Sequence, residues 1–176
     1  LLSPLGSLEK ADAVTSFKEQ IDGLVDGGID LVWIETISAP DELEAAAEAA
    51  RSFDIPVCAT MSFDSAGRTM MGVTSADMGK LVSKLVNQPV AFGANCGTGA
   101  SDLLRTVQGF VSTGVTIPIV AKGNAGIPKY HDGHIHYDGT PELMAEYAVL
   151  ARNSGATIIG GCCGTMPEHL ELMRQA

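Results

Sequence analysis

The chain has 176 residues, 45 % of them apolar and 18 % charged, and eleven Lys and Arg against twenty-one Asp and Glu give a formal charge of −10. That length suits one domain whose core needs no disulfides, and that charge argues against nucleic acid or an anionic membrane as partner. No apolar run approaches the roughly 18 residues of a transmembrane helix, and no secretory signal is visible.

In chain order, "SLEKADAVTSFKEQIDGLVDGG" comes first. Its Leu8, Val14, Phe17, Ile21, Leu24 and Val25 recur at helical spacing, and Gly27 and Gly28 end the helix. "IDLVWIET" reads as a buried strand, Ile29 to Thr36. "SAPDELEAAAEAARSF" is a helix with Ser38 as N-cap and Asp41 in the capping-box position. Strand and helix then alternate: "IPVCATMSF", "SADMGKLVSKLV", "PVAFGANC", "GASDLLRTVQGFVSTG" and "TIPIVAKGN". After a polar loop, Thr140 caps "PELMAEYAVLARNSG", with Pro141 at the tolerated first position. "ATIIGGCC" is the fifth strand, and Thr165 with Glu168 forms a second capping box opening "TMPEHLELMRQA".

The order is one helix and then five βα units, spaced by about 30 residues as such units are. Strands rich in Val, Ile and Ala, buried on both faces, belong to a parallel α/β sheet. Two architectures fit: an open doubly wound sheet, or the last five strands of an eight-stranded TIM barrel, its N-terminal three strands absent from this chain. A first helix standing before the first strand favours the barrel. A flavodoxin-like binding domain would carry a Gly-rich phosphate loop after its first strand, and "ETISAP" is not one.

Chemistry in such folds gathers at the C-terminal ends of the strands. Those ends carry Glu35 and Thr36, then Ser62, Phe63 and Asp64, then Asn95 and Cys96, then Lys122 and Asn124, and last Cys162 and Cys163. Cys58 falls inside its strand, where a thiol is a small hydrophobe. Four cysteines are too few for a disulfide-stapled secreted domain, so a reducing, cytoplasmic setting fits, and clustered thiols there mean metal or catalysis. Three thiolates converging from two strand ends, Cys96 with Cys162 and Cys163, are what a catalytic zinc site needs: three protein ligands and one open position. Gly160, Gly161 and Gly164 leave room around that metal. Asn95 and Asn124 are candidates either to hydrogen-bond substrate or to position the ligand loops. In "FDSAGRTMMGVT", Asp64 and Arg68 are expected to ion-pair and order their loop. His131, His134 and His136 in "HDGHIH" read as solvated loop residues.

"GANCGTG", "KGNAGIP" and "GGCCGT", in this order and spacing, resemble the signature segments of the homocysteine S-methyltransferase family. That family includes betaine–homocysteine methyltransferases, the homocysteine domain of cobalamin-dependent methionine synthase and S-methylmethionine-dependent enzymes. The resemblance runs over essentially the whole chain, residues 1–176, as a single homocysteine-binding-type domain, about helix three to helix eight of a (β/α)8 barrel. It implies zinc held by Cys96, Cys162 and Cys163, and Glu35 in "WIET" contacting the homocysteine amino group. It implies methyl transfer from an activated donor to homocysteine, giving methionine. The family's opening "DGATGT"-like segment and two further strands have no counterpart here. A partial barrel would expose an apolar edge, which favours a homo-oligomer, and a non-catalytic or zinc-binding remnant is the alternative. The donor is not legible: betaine needs an aromatic cage, for which Trp33, Tyr130 and Tyr137 are the candidates.

Overall fold

The computed structural model describes residues 2–3 and 5–176. Six helices and seven strands are present among them: α1 (Lys10–Asp26), β1 (Val32–Ile37), α2 (Pro40–Ala50), β2 (Val57–Met61), α3 (Ser75–Val82), β3 (Ala91–Cys96), α4 (Ala100–Val111), β4 (Ile119–Gly123), β5 (Lys129–His131), β6 (His134–His136), α5 (Pro141–Asn153), β7 (Ile158–Gly161) and α6 (Pro167–Gln175). The predicted strands β1 to β4 and β7 pair in parallel in the order β1-β2-β3-β4-β7.

That sequential order decides between the two architectures. A doubly wound sheet reverses its strand order at a switch point; this sheet never does. Successive right-handed crossovers then put every helix on the same side, and the sheet curls into a barrel segment. Side-chain alternation divides the interior accordingly. Val32, Ile34, Val57, Ala59, Met61, Phe92, Ala94, Ile119 and Ala121 point outward into the main core beneath the helices. Leu31, Trp33, Cys58, Ala91 and Val120 form a smaller cluster on the concave face.

The outer core is held by rings and small residues. Phe110 meets Phe92 and Phe63 edge-on, with centroids 5.0 and 5.7 Å apart, the arrangement that aromatic quadrupoles prefer. "AAAEAA" in α2 has no functional content: Ala45, Ala46, Ala47, Ala49 and Ala50 are all buried and let the helix lie close to the sheet. Gly93 is required inside β3, because a Cβ there would stand 2.0 Å from the Val120 carbonyl oxygen.

Several local expectations change. Ser38 does not cap α2; Ala39 holds that position without a side-chain bond, and Pro40 begins the helix. Thr165 does not cap α6 either; Met166 is the N-cap and Pro167 the first helical residue. The cause is shared, since proline's fixed φ and missing N–H set the first helical position. His169 takes the part expected of Glu168: its Nδ1 accepts from the Met166 N–H at 2.9 Å, while Nε2 meets the Gly139 carbonyl at 2.9 Å. Its ring proton therefore sits on Nε2, in a structural role. The N-cap not anticipated is Thr74, which closes a capping box with Asp77 at the start of α3. Those bonds from Thr74 hold the Asp77 carboxyl below its ordinary pKa.

The polar loop before α5 contains an antiparallel hairpin, β5 with β6. Asp132 and Gly133 turn it with φ of 50° and 82°, the positive angles a type I′ turn demands. All three of its histidines are exposed. Asp64 and Arg68 do not pair: Arg68 donates to the Gly72 carbonyl and Asp64 accepts from the Ser65 hydroxyl.

Candidate metal centre

Cys96, Cys162 and Cys163 meet at the C-terminal end of the sheet. Their Sγ atoms all lie within 4.8 Å of one another, with Cys96 3.6 Å from both Cys162 and Cys163. In a tetrahedron of sulfurs roughly 2.3 Å from zinc, the edge is about 3.8 Å. The trio therefore has the dimensions of three corners of such a site. All four cysteines of the chain are free thiols. Among the described residues no other group of three His, Cys, Asp or Glu side chains is close enough to hold an ion.

Strand alternation alone would defeat this meeting. Asn95 faces inward, so Cys96, the next residue, should face the helices with Phe92 and Ala94. A φ of +62° at Cys96 turns its side chain back toward the cluster, an angle that costs a non-glycine residue about 1–3 kcal/mol. Thr36 at the end of β1 adopts the same conformation, φ +63°, where the β1–β2 register slips.

Two buried amides hold the turns. Asn95, wholly buried, accepts through Oδ1 from the Thr36 N–H at 3.0 Å and the Thr60 hydroxyl at 2.8 Å. Its Nδ2 donates to Thr36 Oγ1 at 2.7 Å and to Cys162 Sγ at 3.7 Å. Asn124 donates to the Gly97 carbonyl at 2.9 Å and accepts from the Cys163 N–H at 3.0 Å, tying the two cysteine turns together. The β4 backbone completes the clamp: Cys162 N–H reaches the Gly123 carbonyl, and Ala125 N–H the Cys163 carbonyl. Gly164, at φ +77°, lies against Tyr137, whose ring a Cβ would strike at 2.2 Å. Gly161 and Gly164 make room for Thr165 and Tyr137.

Three thiols this close cannot all ionise without a cation. Burial, reinforced by the two neighbouring sulfurs, pushes the Cys96 thiol up to about 12. Burial opposes ionisation of Cys162 too, yet the hydrogen bonds from Asn95 and Cys96 outweigh it and hold Cys162 below the ordinary thiol value. Burial and the facing Cys163 sulfur raise the Tyr137 phenol. Cys58 stands apart: it is 1 % exposed, and burial raises its pKa to about 11. Brief treatment of the native, metal-stripped protein with iodoacetamide is expected to label the exposed Cys163 and spare Cys58 until the chain unfolds. Peptide mass spectrometry showing Cys58 labelled first would contradict that placement.

Glu35 and Lys122 form an ion pair across the concave face, from β1 to β4, with Lys122 Nζ 5.0 Å above the Trp33 ring. The sequence pointed to Glu35 but to no role for Lys122, Thr36 or Thr60. For Lys122 a signal existed, since it stands at a strand end with Asn124. Of the proposed aromatic cage, Trp33 lies beneath Lys122 and Tyr137 beside Cys163, while Tyr130 is 79 % exposed in the hairpin.

No described helix is long and apolar enough to cross a membrane. Among solved structures, the chain is similar to the homocysteine methyltransferase MmuM from Escherichia coli. With its apo form it shares 23 % identity and a TM-score of 0.76, over 96 % of this chain and 57 % of that one. With its metallated form the identity is 25 % and the TM-score 0.70, over 93 % and 52 %. YagE from E. coli K12, a dihydrodipicolinic acid synthase family protein, shares the fold at 16 % identity and a TM-score of 0.53, over 98 % and 55 %. The chain thus spans a little over half the length of these proteins. A sequence profile described as homocysteine S-methyltransferase matches residues 2–176, and the chain belongs to that family.

Proposed function

We propose that residues 1–176, one homocysteine-binding-type domain, serve the zinc-dependent transfer of a methyl group to the thiol of homocysteine, giving methionine. The observation that carries this reading is the Cys96–Cys162–Cys163 cluster, whose 3.6 Å sulfur spacing suits zinc. The metallated form of MmuM supports a metal in this family, and reduced cysteines suit the cytoplasm.

Zinc held by Cys96, Cys162 and Cys163 would supply the positive charge that lets a substrate thiol lose its proton near neutral pH. The chain's own residues do the rest. Asn95 keeps the Cys162 sulfur in place. Asn124 locks the Cys96 turn to Cys163. Both amides are satisfied within the protein, so they serve substrate binding by positioning. Glu35 takes the substrate ammonium and aims the sulfur at the methyl carbon. The sulfur–carbon bond forms as the donor's bond to that carbon breaks, the donor keeping the electron pair. The donor must therefore be activated: a betaine-like ammonium, S-methylmethionine or a methyl-corrinoid.

The test is elemental analysis of the protein, followed by homocysteine methylation with each of the three donors, read as methionine by mass spectrometry. One zinc per chain and turnover with one donor are expected. Zinc with no affinity for homocysteine would reduce the protein to a metal-holding remnant, and absence of zinc would end the reading.

A further inference from the structure

The concave face of the sheet has an unusual charge content. Alternation places Leu31, Trp33 and Glu35 there from β1; Cys58, Thr60 and Ser62 from β2; and Asn95 from β3. From β4 come Val120, Lys122 and Asn124, and from β7 Ile158, Gly160 and Cys162. Glu35 and Lys122 are the carboxylate and the ammonium among these, and they touch across the face although β2 and β3 lie between their strands. Both keep access to solvent, with side chains 38 % and 25 % exposed.

The pair stands next to the cysteines. Lys122 is in register with Asn95 on one side and Gly160 on the other. Asn95 donates to Cys162 Sγ, and Gly160 lies two residues before Cys162. With no side chain, Gly160 leaves the flank of Lys122 open: a Cβ there would meet only Lys122 Cγ, at 3.5 Å. Beneath the ammonium lies the face of Trp33, and the indole N–H is buried without a partner. On this side of the pair the Lys122 ammonium and the unpartnered Trp33 indole N–H are donors, and Glu35 is the one carboxylate beside them.

We propose that Lys122 reads the α-carboxylate of the thiol amino acid. This rests on the reading of the cysteine cluster and Glu35 given above. A substrate zwitterion then replaces one ion pair with two: its ammonium goes to Glu35, its carboxylate to Lys122, and its thiol toward the cysteines. Without substrate the two side chains satisfy each other, so neither charge is left bare on a half-apolar face. The same device selects against thiols that lack either charge, because each would leave Glu35 or Lys122 unpaired.

The test compares L-homocysteine with 3-aminopropane-1-thiol, which is homocysteine without its carboxylate, by calorimetric titration of the zinc-loaded protein. A lost charge-assisted hydrogen bond corresponds to about 10- to 100-fold in affinity. Lys122→Met is expected to weaken homocysteine by that factor and to leave the aminothiol bound as tightly as before, or more tightly, since Glu35 loses its competitor. Lys122→Arg is expected to recover most of the homocysteine affinity. Aminothiol binding itself reports that the Lys122→Met site is folded. Equal loss of both ligands, or no loss of either, overturns the assignment of Lys122 alone. If neither thiol binds the zinc-loaded parent, the methyl-acceptor reading fails and this one with it.

Discussion

Cys162→Ala is expected to strip the protein of its metal and abolish methyl transfer. Structural zinc sites bind with apparent free energies of about 10–16 kcal/mol. Shared over four ligands, that is about 3–4 kcal/mol each, or roughly 10²- to 10³-fold in affinity per ligand. Cys162 is the harshest single loss of the three. It is the thiol that the buried Asn95 amide bonds, and it sits between Cys96 and the clamp from Gly123. Cys58→Ala is the control, because that thiol is packed against Ala91 and Val120 away from the cluster. Dialysis against a chelator of graded strength followed by elemental analysis should show zinc leaving the Cys162 variant first and the Cys58 variant no sooner than the parent. Equal retention in all three proteins would show that position 162 holds no metal.

The second large effect concerns a residue outside the ligand set. Asn124→Leu keeps the volume of the side chain and removes both of its hydrogen bonds, leaving the Gly97 carbonyl and the Cys163 N–H without their partner at a position 5 % exposed. Residues that orient metal ligands typically contribute 10- to 100-fold to metal affinity, and that is the expected weakening of zinc binding here. The far-ultraviolet circular dichroism should stay that of the parent, since the β3–β4 and β4–β7 ladders do not depend on this side chain. Competition with a chromophoric chelator measures the affinity directly. Parental affinity in a folded Asn124 variant would mean that the two cysteine turns hold their geometry unaided.

The division between these two predictions follows how the information is stored. Cys162 was legible because its neighbour and its strand-end position are both local features of "IIGGCCG". The clamp by Asn124 was not, because it joins residue 124 to residues 97 and 163, and no spacing rule encodes a partner 27 or 39 positions away. For the same reason the sequence left Asn95 and Asn124 balanced between substrate contact and loop positioning. In the structure Asn95 bonds Thr36, Thr60 and Cys162, and Asn124 bonds Gly97 and Cys163.

Local misreadings have local causes. Ser38 and Thr165 are good N-cap residues with acidic residues three positions on, yet Pro40 and Pro167 move both helix starts downstream. The Asp132–Gly133 hairpin signal was present in "HDGH" and was obscured by the polarity of its flanks. At Cys96 the sequence placed the residue in the cluster, but strand alternation by itself would turn the side chain away, and its left-handed backbone turn brings it back. No residue-type preference would put a cysteine there.

By itself the sequence determined the α/β alternation, the parallel sheet and the strand ends where chemistry collects, because periodicity and capping depend on neighbours a few residues apart. It also pointed to the three cysteines that meet, since strand ends share one edge of any parallel sheet. The leading helix and the family resemblance pointed to a barrel, and the tertiary structure shows the strands in unbroken order. From the curl of that sheet come the 3.6 Å approach of Cys96 to Cys162 across 66 residues and the closure of Lys122 on Glu35 across 87. Such meetings depend on sheet curvature, which is the sum of many small twists and belongs to no single stretch of chain.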